Sequence, residues 1–377
     1  MSVEEPLDVV IAGGGVAAVE AALALRDLAG ERVALKLMAP NAEFSYRPMT
    51  VCEPFGYEQA DSYPLAQVAA DVGAELIVEE FGWVDTGERL AYTTSGVAVP
   101  YDALLLAVGA HIKEAFPHVV TIDDGRMDEL LHGVVQDVEE GYVKRIAFVA
   151  PARLAWPLPL YELALMTAAR AYDMNVAVKL TLVTAEAAPL AVFGAQASAA
   201  VAELLADAGV ETITGAYAQV DQVGEVHLQP GNRTVGADRI IALPELFGPA
   251  VRGLPASEHG FIPVDQHCRV PGVERVWAAG DAIDFAVKQG GIASQQADAA
   301  AEQIASLAGA PLTPTPFQPE IRGILLTGRK PRYLTARLSG SMSFDSQITD
   351  QPTWTPVAKI SARYLAPYLE RHAIPTG

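Results

Sequence analysis

Residues 7–18 read Leu-Asp-Val-Val-Ile-Ala-Gly-Gly-Gly-Val-Ala-Ala, an apolar run that breaks on three glycines. Residues 7–13 have the length and β-branched content of a short buried strand. Residues 16–29, rich in Ala, Leu and Glu, read as a helix, and residues 33–38 (VALKLM) as a second strand. The three make one β-α-β unit whose turn carries Gly13-x-Gly15-x-x-Ala18. Gly13 permits the tight turn, Gly15 lets the backbone approach a pyrophosphate, and Ala18, in the third glycine's place, keeps helix and strand close. Free N–H groups and the positive end of the helix dipole then face the phosphates. The usual partner, an acid ending the second strand, is missing: that strand ends Leu37-Met38-Ala39-Pro40-Asn41. Asn41 is the first candidate for the ribose hydroxyls and Glu43 the second. The alternative is a plain turn after Pro40.

Moving outward, strand candidates lie at 75–79, 89–93, 97–99 and 103–108 (ALLLAV). The pattern then restarts. A strand at 145–150, a helix at 160–172, a strand at 178–184, a helix at 195–208 and strands near 211–214 and 240–243 give a second β-α-β series. Two such series in one chain predict an α/β protein with two doubly wound domains. Residues 261–281 look strand-like, and a long Ala/Gln helix spans 291–308. After Gly309 the stretch PLTPTPFQP reads as a linker into a separate C-terminal segment.

Residues 276–281 (VWAAGD) run a strand into Gly280-Asp281. Here the chain resembles the pyridine nucleotide–disulfide oxidoreductase superfamily, whose second FAD motif is a strand ending in Gly-Asp. The resemblance implies that Asp281 bonds the ribityl chain of FAD, a task suited to a carboxylate that accepts from hydroxyls and N–H groups together. The segment 101–110, ending Leu106-Ala107-Val108-Gly109-Ala110, resembles the superfamily's strand ending in Ala-Thr-Gly, with Val108 for Thr. The expected layout is two Rossmann-like domains. A discontinuous FAD domain takes 1–115 and 255–310, a degenerate NAD(P)-binding-like domain takes 116–254, and a C-terminal interface segment takes 311–377.

Residues 44–48 (FSYRP) and 288–297 (KQGGIASQQA) resemble the branch holding sulfide:quinone oxidoreductase, flavocytochrome c sulfide dehydrogenase and type II NADH dehydrogenase. That likeness places Tyr46 and Arg47 on a loop beside the flavin, and the amides of Gly291 and Ile292 at its pyrimidine edge. Lys288 faces either ring or solvent. The customary electron-entry residues are absent. Residues 151–162 (PARLAWPLPLYE) resemble a Cys-x-x-x-Pro-Tyr-Glu region without its cysteine. Cys52 and Cys268 have no matched partners, so packing is their expected role. The second domain's glycine loop should occupy the same segment, but Pro151, Pro157 and Pro159 remove donors and forbid the turn. NAD(P)H in its standard pose is therefore doubtful. Glu186 reads as a ribose-binding acid or a solvated strand end. Glu162 reads as a helix-dipole partner or as a contact near the flavin.

The chain of 377 residues carries 26 basic and 46 acidic side chains, a net charge of −20 that disfavours nucleic acid. Two cysteines without CxxC spacing exclude a disulfide framework and a cysteine metal site. No transmembrane segment or signal peptide is expected, which suits the cytoplasm with or without peripheral membrane contact. Residues 354–370 carry Trp354, Ile360, Tyr364, Leu365 and Tyr368 with Lys359 and Arg363 between them. They read as an aromatic surface for a homodimer or domain contact, or for a membrane. Residues 322–334 read as an edge hairpin turning at Gly328. The leading expectation is an FAD-dependent oxidoreductase passing two electrons to a quinone or another acceptor, with the donor unassigned. The rivals are an NAD(P)H:acceptor reductase and a non-catalytic flavin-binding sensor or interaction module.

Overall fold

The computed structural model describes residues 5–339 and 342–372. The outermost parts of the expected first and C-terminal segments, residues 1–4 and 373–377, lie outside the described residues. Leu7–Ala12 pairs in parallel with Val33–Ala39 on one side and with Ala103–Leu106 on the other. The full sheet runs Val276–Ala278, Ala103–Leu106, Leu7–Ala12, Val33–Ala39, Ala74–Val78. Val276 meets Leu104, so the late VWAAGD strand returns beside the early one. Val9, Val10, Ile11 and Ala12 have no exposed surface, as a parallel strand covered on both faces requires. One cover is helix α1 (Val16–Ala29), packed along the later helix 290–307 through alanines on both. The other is an antiparallel meander of Phe81–Asp85, Leu90–Thr93 and Ala98–Pro100.

A second parallel sheet runs Val120–Thr121, Arg239–Ala242, Arg145–Val149, Lys179–Val183, Val210–Ile213. Its order again needs crossover helices, so the α/β, doubly wound class expected from the sequence is what forms. After α2 (Leu65–Asp71), which packs on the first sheet, the helices α3 (Met127–Glu139), α4 (Leu158–Asp173) and α5 (Ala195–Asp207) follow. All three bury apolar side chains in one core with Ile146, Phe148, Leu180 and Leu182 of the second sheet. The sheet's other face is closed by the meander Tyr217–Gln222, Glu225–Gln229, Arg233–Gly236. Helix α6 (Gly290–Leu307) follows, and a third sheet of Glu320–Leu325, Arg332–Ser339 and Met342–Thr349 inserts Ile321, Leu325 and Leu334 into the α4–α5 core.

Three expectations change. Residues 261–281 hold one named strand, Val276–Ala278, and are otherwise turns and isolated bridges. The hairpin with Gly328 in its loop gains a third strand. The C-terminal segment packs inward, as its domain-contact reading has it, and is not an open aromatic surface: Trp354, Ile360, Leu365 and Tyr368 are buried and Tyr364 is half-buried. The last helix, α7 (Leu365–His372), accommodates Pro367 because that residue lies in the first turn, where the missing N–H has no helical acceptor. Among the described residues no helix is long and apolar enough to cross a membrane.

Candidate active site

A cavity of about 1230 Å³ opens at the carboxyl ends of the two parallel sheets. Its wall uses the residues following Ala12, Leu106, Thr121, Val149, Ala242 and Ala278, the place where open α/β sheets bind ligands.

At one end lies the Gly13–Gly15 turn. Gly13 has φ +133°, and a Cβ there would sit 2.2 Å from the Ala107 carbonyl oxygen, so only glycine fits. Gly15 is the N-cap of α1, with no side-chain cap and no acid in the first turn. The leading amides of α1 therefore stay open to the cavity and to an anion. A Cβ on Gly15 would meet nothing within 4 Å, so the backbone there is bare. Ala18 is fully buried and off the cavity wall, consistent with a packing role. Pro40, Asn41 and Glu43 line the wall, so both ribose candidates reach it.

Further along stand Val108, Gly109 at φ +76°, and Gly280 at φ +75°. The Gly280 amide donates to Gln296 Oε1 of α6 at 2.8 Å, which fixes the turn presenting Asp281. The Asp281 carboxyl lines the cavity. Its pKa is raised by desolvation, against the pull of Lys288 and Arg47. Lys288 faces protein and cavity rather than solvent: it is buried, donates to the Ile283 carbonyl and sits 3.9 Å from the Phe261 ring centroid. Burial lowers its pKa to about 8. Arg47 lines the wall, whereas Tyr46 lies behind it and its hydroxyl accepts from the Ile360 amide at 2.9 Å.

The start of α6 differs from expectation. Gln289 and Gly290 line the cavity, while Gly291 and Ile292 do not. The Ile292 amide already donates to the Gln289 side chain at 2.9 Å, because Gln289 caps the helix. The exposed end of the helix is therefore one to two residues earlier than the sequence suggested.

The largest surprise is a buried ion pair on the wall. Glu162 in α4 takes a 2.8 Å contact from Lys359 Nζ and a 2.9 Å bond from the Leu326 amide. Lys359 also donates to the Pro48 carbonyl at 3.0 Å. The two side chains are 1% and 6% exposed. Burial raises the Glu162 carboxyl despite the lysine beside it. Glu162, read as a helix-dipole partner or a contact near the flavin, sits on the cavity wall in this ion pair, and Lys359 is not a surface cation.

The prolines do what their chemistry requires. Residues 150–157 form an irregular loop, and α4 begins only at Leu158. Leu154, Ala155, Trp156 and Pro159 line the cavity where a glycine turn would have presented amides. Glu186, weighed as a ribose acid or a solvated strand end, is neither: it accepts from Tyr161 Oη at 2.8 Å, Thr184 Oγ1 at 3.1 Å and the Ala191 amide at 3.0 Å. Cys52 and Cys268 are free and buried in separate cores, with burial pushing their thiols up to about 11 and about 12.

The sequence matches the family model described as pyridine nucleotide–disulphide oxidoreductase over residues 162–303. The match covers part of the chain, from α4 into α6. The likeness over that stretch is to oxidoreductases. A NADH dehydrogenase-like protein of Mycobacterium tuberculosis is 26% identical over 287 residues, 72% of this chain and 72% of its own length. The sulfide:quinone oxidoreductase of Aquifex aeolicus superposes with a TM-score of 0.80 at 19% identity, covering 91% of this chain and 87% of its own. A ferredoxin reductase from Rhodopseudomonas palustris gives a TM-score of 0.67 at 19% identity, covering 88% and 82%. The two structural likenesses speak for the fold.

Proposed function

We propose that the cavity holds FAD and that the protein passes two electrons through it to a quinone or another acceptor. The observation carrying this is the continuity of the cavity from the Gly13–Gly15 turn past Gly109 and Asp281 to Lys288 and Gly290. The residues fit the cofactor: uncapped amides at α1 suit the pyrophosphate, and a carboxylate facing open space at Asp281 suits ribityl hydroxyls. Asn41, with Glu43 as the alternative, meets the adenosine ribose, and Arg47 borders the ring. Gln289 and Gly290 replace Gly291 and Ile292 in direct contact, the latter pair acting through the helix start behind them. In this reading the FAD domain comprises 1–115 and 255–310, and residues 116–254 form the degenerate second domain. Bound FAD supplies two-electron acceptance. The chain's own groups bind and orient it, and the Glu162–Lys359 pair holds fixed charge and an exchangeable proton at the wall. Asp281→Ala tests this: the variant should fold yet lose FAD, and full retention of FAD would contradict the assignment.

Similarity to a NADH dehydrogenase-like protein favours a second reading, an NAD(P)H:acceptor reductase. The proline loop argues against the usual nucleotide pose. Stopped-flow mixing with NADH or NADPH separates the two, since failure to bleach the flavin within minutes removes this reading.

A further inference from the structure

Asp123 and Asp124 both reach the cavity wall, but they are held differently. Asp123 serves its own turn: its Oδ1 accepts from the Gly125 amide at 2.9 Å and its carbonyl from the Arg126 amide at 2.9 Å. Asp124 has no such task, and among the described residues its carboxyl has no hydrogen-bond partner. The loop carrying it is firmly set. The Ile122 amide donates to the Ala242 carbonyl at 2.8 Å, and Ile122 and Met127 on either side are 2% and 1% exposed. The charged groups around Asp124 come from separate stretches of chain: Arg47, Asp123, Glu162, Asp281 and Lys359.

We propose that Asp124 is the carboxyl through which this cavity takes up and returns a proton as electrons enter and leave the flavin. The inference rests on the FAD reading above. The balance is complete with a supplied reductant. Two electrons and one proton go to the flavin, giving its singly protonated reduced form. A second proton goes from solvent to the Asp124 carboxylate. On reoxidation both electrons leave and both protons are released to the acceptor or to water. The driving force is electrostatic: negative charge arriving in a site with low-dielectric walls favours the neutral acid. Asp124 is exposed to the open cavity, so solvent protons reach it, and desolvation by the surrounding protein, opposed by Arg47, pushes its carboxyl up to about 6. Uptake and potential are linked reciprocally.

The test is a mediated potentiometric titration of the FAD-loaded protein with dithionite from pH 5 to pH 8. Each proton taken up per two electrons is a tenfold effect per pH unit, about 30 mV. In wild type the potential should fall more steeply, by up to that amount per pH unit, as the pH rises above about 6. The flavin's own second proton makes the line shallower with rising pH, so the signs distinguish the two. Asp124→Asn should lose the steepening and keep FAD, and Asp124→Glu should restore it. Equal lines in wild type and Asp124→Asn overturn the proposal. If the Asn variant does not fold, infrared difference spectra of wild type with ¹³C-labelled aspartate decide. A carboxylic acid band appearing on reduction supports the proposal, and its absence overturns it. Failure of wild type to bind FAD would strike the cofactor reading itself.

Discussion

Lys359 lies 197 positions from Glu162, and that separation explains why neither residue's role was legible. A motif records neighbours in sequence, whereas this pair is made by the fold. That Gly13, Gly15, Gly109, Gly280 and Asp281 stand together on the cavity wall was legible for the opposite reason: each is fixed by a strand end and the turn beside it, which the sequence shows whole. The ion pair carries a prediction. Removing one member of a buried pair leaves the other charged and unpartnered, which costs about 3–5 kcal/mol. Lys359→Met should therefore destabilise the protein by that order in urea unfolding. Adding Glu162→Met should recover part of the loss. A single variant as stable as wild type would show that the pair is not held as described.

The segment 354–370 shows why elements are harder to read than turns. Its aromatic content was visible, but without a helical or alternating period nothing marked the side chains as inward-facing. What seats it is a carboxylate in α1. Glu20, fully buried, accepts from the amides of Arg363, Tyr364 and Leu365 at 2.8, 3.0 and 2.5 Å, capping the approach to α7. Asp298 of α6 lies beside it. Burial first, and Glu20 next, push the Asp298 carboxyl up to about 8, with Arg363 opposing and Glu302 adding to the rise. The folded state thus holds a proton more tightly than the unfolded chain does. Its stabilising effect is complete below the ordinary carboxylate range and drains away as pH rises through about 8. Asp298→Asn, which cannot ionise, should gain stability relative to wild type steadily from pH 4 to pH 8. A difference independent of pH would refute a shared proton at this position.

At the scale of the molecule, the α/β class and the return of 276–281 to the first sheet followed from strand-and-turn patterns spread along the chain. The helices α2 and α3, the third sheet's last strand, the strand Phe81–Asp85 and the meander over the second sheet were not legible. The sequence of α3 carries Gly133, a poor helix former, although the helix runs through it, and short antiparallel strands gain their burial only from the sheet they cover. The cavity between the sheets was not legible either, because its wall gathers the ends of strands from both. What the cavity holds is decided by one measurement. The protein is purified, desalted and scanned in the visible region, and the chromophore is released by heat and identified. A yellow protein releasing one FAD per chain is expected. A colourless protein that takes up no FAD when the cofactor is added would contradict it.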